Sequence, residues 1–413
     1  MVPALRPGYI MTATACNNTP TNPPTNPRTD SPYDRAVRFW ARIFGLNFAV
    51  GVVTGFPMEF QFGTNWSRFS EYAGGVVGQT LAMEGLFAFF LESAFIGAMV
   101  FGEERLGPRR HFIAVIAVAL GSWLSAYFIL TTNAFLQHPV GHGFSPDGSL
   151  HIADLGAYLT NPWAFYQFLH NQAAAVVTGS FVVLAVGAYY ALRGLHAEQS
   201  RLFLRWGGAI GLIASVLVAF PTGDWQAKMV AEHQEVALAA MEGRFESGPM
   251  AEITIIGQPN LAERRLDNAI RVPGILSFLA YGTFHSDVRG LDAFPEDLWP
   301  DNIELLYYSF HIMAGLGTMF ILLLSWAAVQ RWRGRLETDR TLLWALMLAF
   351  PFPYIANTTG WMTAELGRQP WLVYGLFRTS QGYSEAVGPG NALFSLIGFT
   401  GIYFVLGLLY VYL

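Results

Sequence analysis

The chain has 413 residues, 53% hydrophobic and only 13% charged, with a formal net charge of −5. Soluble domains run near ~25% charged, so this composition belongs to lipid, and it lacks the basic excess that nucleic-acid binding requires. One cysteine, Cys16, in a polar stretch, excludes a disulfide framework, a Cys-based zinc site and a cysteine-ligated iron–sulfur cluster.

Residues 1–33, with their run NNTPTNPPTNPRTDSP, have no apolar core and no signal-peptide h-region, which predicts a disordered Pro/Thr/Asn-rich tail. Residues 34–413 then form one membrane domain. Apolar stretches at about 43–60, 79–101, 112–136, 163–191, 203–221, 303–329, 342–363 and 392–413 are each long enough to cross a bilayer. The expected fold is an all-α polytopic membrane protein, a bundle of about eight transmembrane helices. The connections 102–111, 192–205 and 330–341 are short and arginine-rich, whereas 61–78 and 137–162 carry one Arg between them. The positive-inside rule puts the arginine-rich loops, and with eight helices both termini, in the cytoplasm. The long segment 222–302 then lies outside, and its opening run GDWQAKMVAEHQEVALAAMEGRFES has the period of an amphipathic lid on the membrane surface.

Leu81–Phe101 (LAMEGLFAFFLESAFIGAMVF) carries Glu84 and Glu92 inside an apolar span. Regular winding places them within about 80° of each other and about 12 Å apart along the axis. Each costs at least ~2.5 kcal/mol on insertion scales, so two on one face point to a polar track or a cofactor wall; a pair of helix-packing carboxylates satisfied by neighbouring Ser, Thr and Trp is the alternative. His170 lies about two turns into its helix and Met313 about ten residues into another, both in the outer third of the membrane. Histidine plus methionine is an axial pair for a low-spin haem; a hydrogen-bonded packing histidine and a core methionine are the alternative. His311, about 200° round the helix from Met313, must point elsewhere, towards a haem propionate or a neighbouring helix. Pro351 and Pro353 are expected to kink the next helix, which ends in GWMTAELGRQPW. There Glu365 and Arg368 lie one turn apart near Trp361, as a site or as an interfacial ion-pair anchor.

Several runs carry a family likeness. GLNFAVGVVTGFPMEFQFGTNWS (45–67), LAMEGLFAFFLES (81–93), ALGSWLSA (119–126), FLHNQAAAVVTG (168–179), LAAMEG (238–243), FHIM (310–313) and GRQPW (367–371) occur in the order found in subunit I of the cytochrome bd-type quinol oxidases. The chain resembles that family over about residues 36–413. The resemblance implies a haem-bearing subunit of a bacterial inner membrane that oxidises quinol (ubiquinol or menaquinol) outside and reduces O₂ to water with cytoplasmic protons. It implies low-spin haem b, high-spin haem b and haem d, and a second oxidase subunit as partner. Carried over by position, His170 and Met313 would ligate the low-spin haem and Glu365 a high-spin haem. Glu84 would stand beside the oxygen-reducing centre, and Glu92 in the proton path with Ser93, Ser122 and Ser125 as relays. Trp361 would flank the haems, and Glu242 would be the carboxylate of a quinol-binding loop at 222–302.

The sequence departs from the family in three places. The family's first membrane helix, with a haem-ligating histidine, has no counterpart in these residues, and no histidine precedes His111. The expectation is therefore either a start further upstream or a divergent paralogue serving electron transfer or sensing. A proton-coupled transporter is a third reading of the carboxylates alone. Many members have Arg where His311 stands. The loop is of the short type, with Ala237 where some members place a lysine.

Overall fold

The computed structural model describes residues 31–412. Eight helical stretches among them are long and apolar enough to cross a membrane, matching the expected number. The sequence-based tail lies outside the described residues up to residue 30. Helix α1 (Pro32–Glu59) starts earlier than its apolar core because Ser31 and Asp34 form a reciprocal capping box and Pro32 fills the first helical position. Its 28 residues span about 42 Å, more than a ~30 Å hydrocarbon core.

The second span is one rod made of α2 (Ser67–Met83), a π-helical turn (Glu84–Phe89) and α3 (Phe90–Phe101). Helix α4 (Glu103–Gln137) returns after a tight reversal in which Gly107, at φ 70°, adopts a conformation that a side chain would strain. A hairpin of β1 (His142–Phe144) and β2 (Leu150–Ile152) and the short α5 (Leu155–Leu159) lead into α6 (Pro162–Arg193) and α7 (Ala197–Ala219). Helices α6 and α7 share the most extensive helix–helix interface of the bundle. Glycine permits this approach: a Cβ on Gly187 would stand 2.9 Å from that of Phe203, and one on Gly207 3.0 Å from Leu184. Around this pair Phe181, Leu184, Leu204, Leu324, Leu342 and Leu346 form the buried core.

The segment after α7 is folded through much of its length. It contains helices α8 (Thr222–His233), α9 (Glu235–Met241) and α10 (Ile275–Tyr281) and a largely exposed antiparallel hairpin of β3 (Ile253–Asn260) and β4 (Arg265–Val272), whose β3 packs on α11. The run expected as one amphipathic lid forms two helices: α8 buries only Thr222, Met229 and Ala231, whereas α9 has no polar face. Val236–Met241 are buried on every side, because VALAAM is apolar all round and is packed against Leu276, Leu291, Ile303 and Leu306. The remaining elements are α11 (Ile303–Trp332), α12 (Arg340–Leu348), α13 (Phe352–Arg368), a small hairpin of β5 (Trp371–Val373) and β6 (Phe377–Arg378), and α14 (Pro389–Tyr412). The expected kink at Pro351 and Pro353 is a full break between α12 and α13, as a residue without an N–H would cause. Helix α13 then continues to Arg368, which puts Glu365 and Arg368 on one helix. Helices α1 and α14 sit at the margin: neither apolar window has a buried residue. They are tied by Tyr403 donating to the Thr54 carbonyl at 3.0 Å and Tyr410 to Asn47 at 2.5 Å.

Candidate functional site

Helix α4 is the spine of the site. Ser122, Ser125, Asn133 and Gln137 fall within a stripe about 120° wide that runs some 22 Å along it. The two intramembrane carboxylates meet this stripe in order: Ser122 donates to Glu92 Oε1, and Ser125 donates to Glu84 Oε1 at 2.7 Å. The i→i+5 winding that begins at Glu84 takes up part of the offset regular α winding would leave, so both carboxylates face one neighbour. Glu92 is buried and Gly121 lies against its side chain. Ser93, expected as a relay, is not in this track: it is exposed and bonds the Phe89 carbonyl one turn back.

Further along the same stripe Asn133 donates to Glu365 Oε1 at 2.7 Å and accepts from Gln167 at 2.8 Å. Arg368, buried, pairs with Glu365 Oε2 and donates to the Leu372 carbonyl at 2.9 Å, while its Nε has no partner. The carboxylate is thus held at both oxygens, and each retains a lone pair for a metal. Gln137 closes the stripe, donating to the Ala364 carbonyl at 3.1 Å and accepting from Gln234 at 2.9 Å. It joins α13 to the segment after α7.

His170 projects from α6 towards the bend between α7 and α8. Its Nδ1 lies 3.4 Å from the Thr222 hydroxyl, and its Cε1 would be 3.5 Å from a Cβ on Gly223. Anchoring of one ring nitrogen at this bend would fix the tautomer and present the other to a metal, which is what an axial histidine needs. Met313 lies on α11 against α13, where a Cβ on Gly360 would be 2.9 Å from its sulfur. Trp361, partly exposed, is the next residue on α13. Both donor helices pack against α7 and α13, and the donor set of imidazole, thioether and carboxylate fits haem iron.

The fourth group lies under the β3–β4 hairpin. Glu242, just after α9, is 4% exposed, and loss of water pushes its carboxyl up to about 8; only the approaching Thr254 backbone amide favours the ionised form. The Thr254 carbonyl meets His311 Nε2 at 2.9 Å, and His311 Nδ1 meets the Tyr307 carbonyl at 2.8 Å. His311 therefore points towards the hairpin and bridges α11 to β3. Sequence reasoning missed Asn133, Gln137, Gln167 and Tyr307. The first two repeat the helical spacing of Ser122 and Ser125, so the polar stripe was the signal that could have found them.

Eight membrane-length helices, two of their carboxylates bonded along one helix, and a folded segment between the fifth and sixth spans define a polytopic membrane protein with a polar track through its bundle. The chain belongs to the cytochrome bd terminal oxidase subunit I family, which it matches over residues 26–413. It is 37% identical over 390 residues to cytochrome bd ubiquinol oxidase subunit 1 of Bacillus subtilis, covering 92% of this chain and 83% of that one. Cytochrome bd-II ubiquinol oxidase subunit 1 of Escherichia coli is 32% identical over 447 residues, covering 92% and 87%. That alignment is longer than this chain, so the E. coli subunit carries inserted residues relative to it. The solved bd oxidase of Geobacillus thermodenitrificans superposes with a TM-score of 0.81 at 30% identity, over 92% of this chain and 88% of that one. Cytochrome bd oxidases use haems and quinol, and membership as subunit I implies a subunit II.

Proposed function

We propose that the chain is subunit I of a quinol:O₂ oxidoreductase of the bacterial inner membrane, oxidising quinol at the outer face and reducing O₂ to water with cytoplasmic protons. The observation that carries this reading is the polar stripe of α4. It receives Glu92, then Glu84, then Glu365 in one line, the order that inward proton delivery to a reaction centre requires. Bound haem would supply the one-electron transfers and the oxygen chemistry, leaving ligation, distances and proton access to the protein. In this reading His170 and Met313 hold low-spin haem b, and Glu365 holds the high-spin haem b, with Arg368 and Asn133 keeping its carboxylate in place. Glu84 stands beside the haem d centre. Glu92 passes protons towards it across Ser122 and Ser125, which are one turn apart on α4. Trp361 flanks the haems, and His311 fixes the hairpin above the outer end of α11.

Glu242 is the general base for quinol, whether ubiquinol or menaquinol. A carboxyl titrating near neutrality suits that task, since proton transfer is most efficient when the base is matched to the working pH. The apolar faces of α1 and α14 suit lipid and a second oxidase subunit. The test is a reduced-minus-oxidised spectrum of the purified complex with extracted-haem analysis and quinol-driven O₂ uptake. Haem d with two kinds of haem b and quinol-driven uptake is the expected result. Low-spin haem b alone would replace the proposal with an electron-transfer or sensing paralogue, and absence of haem would leave a proton-coupled transporter.

A further inference from the structure

Two buried oxygens under the β3–β4 hairpin have no hydrogen-bond partner: Glu242 Oε2 and the Tyr307 hydroxyl. They lie within electrostatic reach of each other, and Tyr307 is 1% exposed. Buried polar groups are nearly always paired, so two orphans in one place mark half of a recognition site. Packing alone fixes the tyrosine. Its ring stacks on His311 with centroids 3.9 Å apart, and Gly243 approaches so closely that a Cβ there would be 3.0 Å from the ring. The hydroxyl is not needed to hold it. Above that hydroxyl β3 is irregular, with a register shift between Ile256 and Gln258, and a Cβ on Gly257 would come within 2.9 Å of the oxygen. Glycine in a strand irregularity is the usual sign of close approach by another group.

We propose that Tyr307 is the second polar contact of the quinol site, sharing one quinol hydroxyl with Glu242. This rests on the assignment of Glu242 to quinol oxidation. The quinol O–H donates to the Glu242 carboxylate while the Tyr307 O–H donates to the same quinol oxygen. On oxidation that quinol O–H bond breaks and its proton forms the carboxyl O–H of Glu242; the second quinol hydroxyl gives its proton to water at the outer face, and the two electrons would be taken up in turn by the oxidase's own haems. Tyr307 keeps its proton. Its hydrogen bond strengthens as negative charge builds on the quinol oxygen, so its effect falls on the rate as well as on binding. The ring enters when β3 moves off Tyr307.

The experiment uses the complete oxidase complex with Tyr307→Phe, Gly257→Ala and Glu242→Gln. O₂ uptake is measured against quinol concentration and, separately, with an artificial one-electron donor that feeds the haems directly. Tyr307→Phe should lower kcat/KM for quinol about tenfold relative to the artificial donor, the loss expected for one hydrogen bond to a charging group. Gly257→Ala keeps the hydroxyl but crowds it, and should lower the same ratio. A Tyr307→Phe enzyme within twofold of wild type, beside a Glu242→Gln enzyme that loses quinol oxidation, would overturn the proposal and leave Glu242 in place. An equal fall with both donors would also overturn it, marking Tyr307 as structural. If Glu242→Gln leaves quinol oxidation intact, the assignment of the site itself fails.

Discussion

Replacing Glu242 by Gln tests the outer site through stability before any turnover is measured. Burial raises this carboxyl from 4.5 to about 8, and each pKa unit is worth about 1.4 kcal/mol. Ionising it in the closed structure therefore costs on the order of 5 kcal/mol. In the unfolded chain the group ionises above about 4.5; in the folded chain it stays neutral until about 8. The native state thus binds one more proton than the unfolded state between those values, and wild-type stability falls as pH rises through that window. Below it both states are neutral, and above it the full penalty is present. The Gln variant is neutral throughout and lacks this slope. Thermal unfolding of the complex at a series of pH values from 4.5 to 9 should show the variant gaining on wild type by several kcal/mol towards alkaline pH. Quinol-driven O₂ uptake, which loses its base, should fall by about a hundredfold or more. Parallel stability curves would refute the argument, since they would mean that the carboxyl meets water or a cation in solution.

Glu92→Gln should lower turnover by about a hundredfold through loss of proton delivery while leaving the low-spin haem spectrum unchanged; full turnover would remove Glu92 from the path. Met313→Leu should shift the low-spin haem potential downward or turn that haem high-spin, and Gly360→Ala, whose Cβ would stand 2.9 Å from the sulfur, should perturb the same band; an unchanged redox titration of the Leu variant rejects Met313 as ligand. Arg368→Leu removes the buried partner that holds Glu365 Oε2, and because the Glu365 side chain is itself 38% exposed the loss is on the order of 1 kcal/mol, visible as a slightly lowered unfolding temperature; an unaltered one would show that Asn133 suffices.

Helix number and placement were legible in the sequence because a membrane span is specified by length and composition alone. Its ends were not. Apolar windows stop at the hydrocarbon boundary, whereas α1 starts at a capping box and α4 at a glycine reversal, and caps are local hydrogen bonds that hydropathy does not see. Glu84, Glu92 and Glu365 stood out because charge in lipid is rare. Asn133 and Gln137 escaped notice because amides cost less there and attract less attention, although their spacing from Ser122 and Ser125 is helical. The burial of α9 was not legible, since it arises from packing against Leu276, Leu291, Ile303 and Leu306, which lie tens of residues away in sequence.

The stripe on α4 also explains how two sites at different depths can share one frame. Gln137 takes a hydrogen bond from Gln234, immediately before α9, and gives one to Ala364, beside Glu365. Asn133, one turn earlier, holds Glu365 itself and ties it to Gln167, three residues before His170. The segment that carries Glu242, the helix that carries Glu365 and the helix that carries His170 are therefore all bonded to the last turns of one rigid element. Electron transfer depends on fixed separations between donor and acceptor groups, and the uninterrupted part of α4 after Gly107, bonded to each of three carriers, fixes them more stiffly than contacts between mobile loops would.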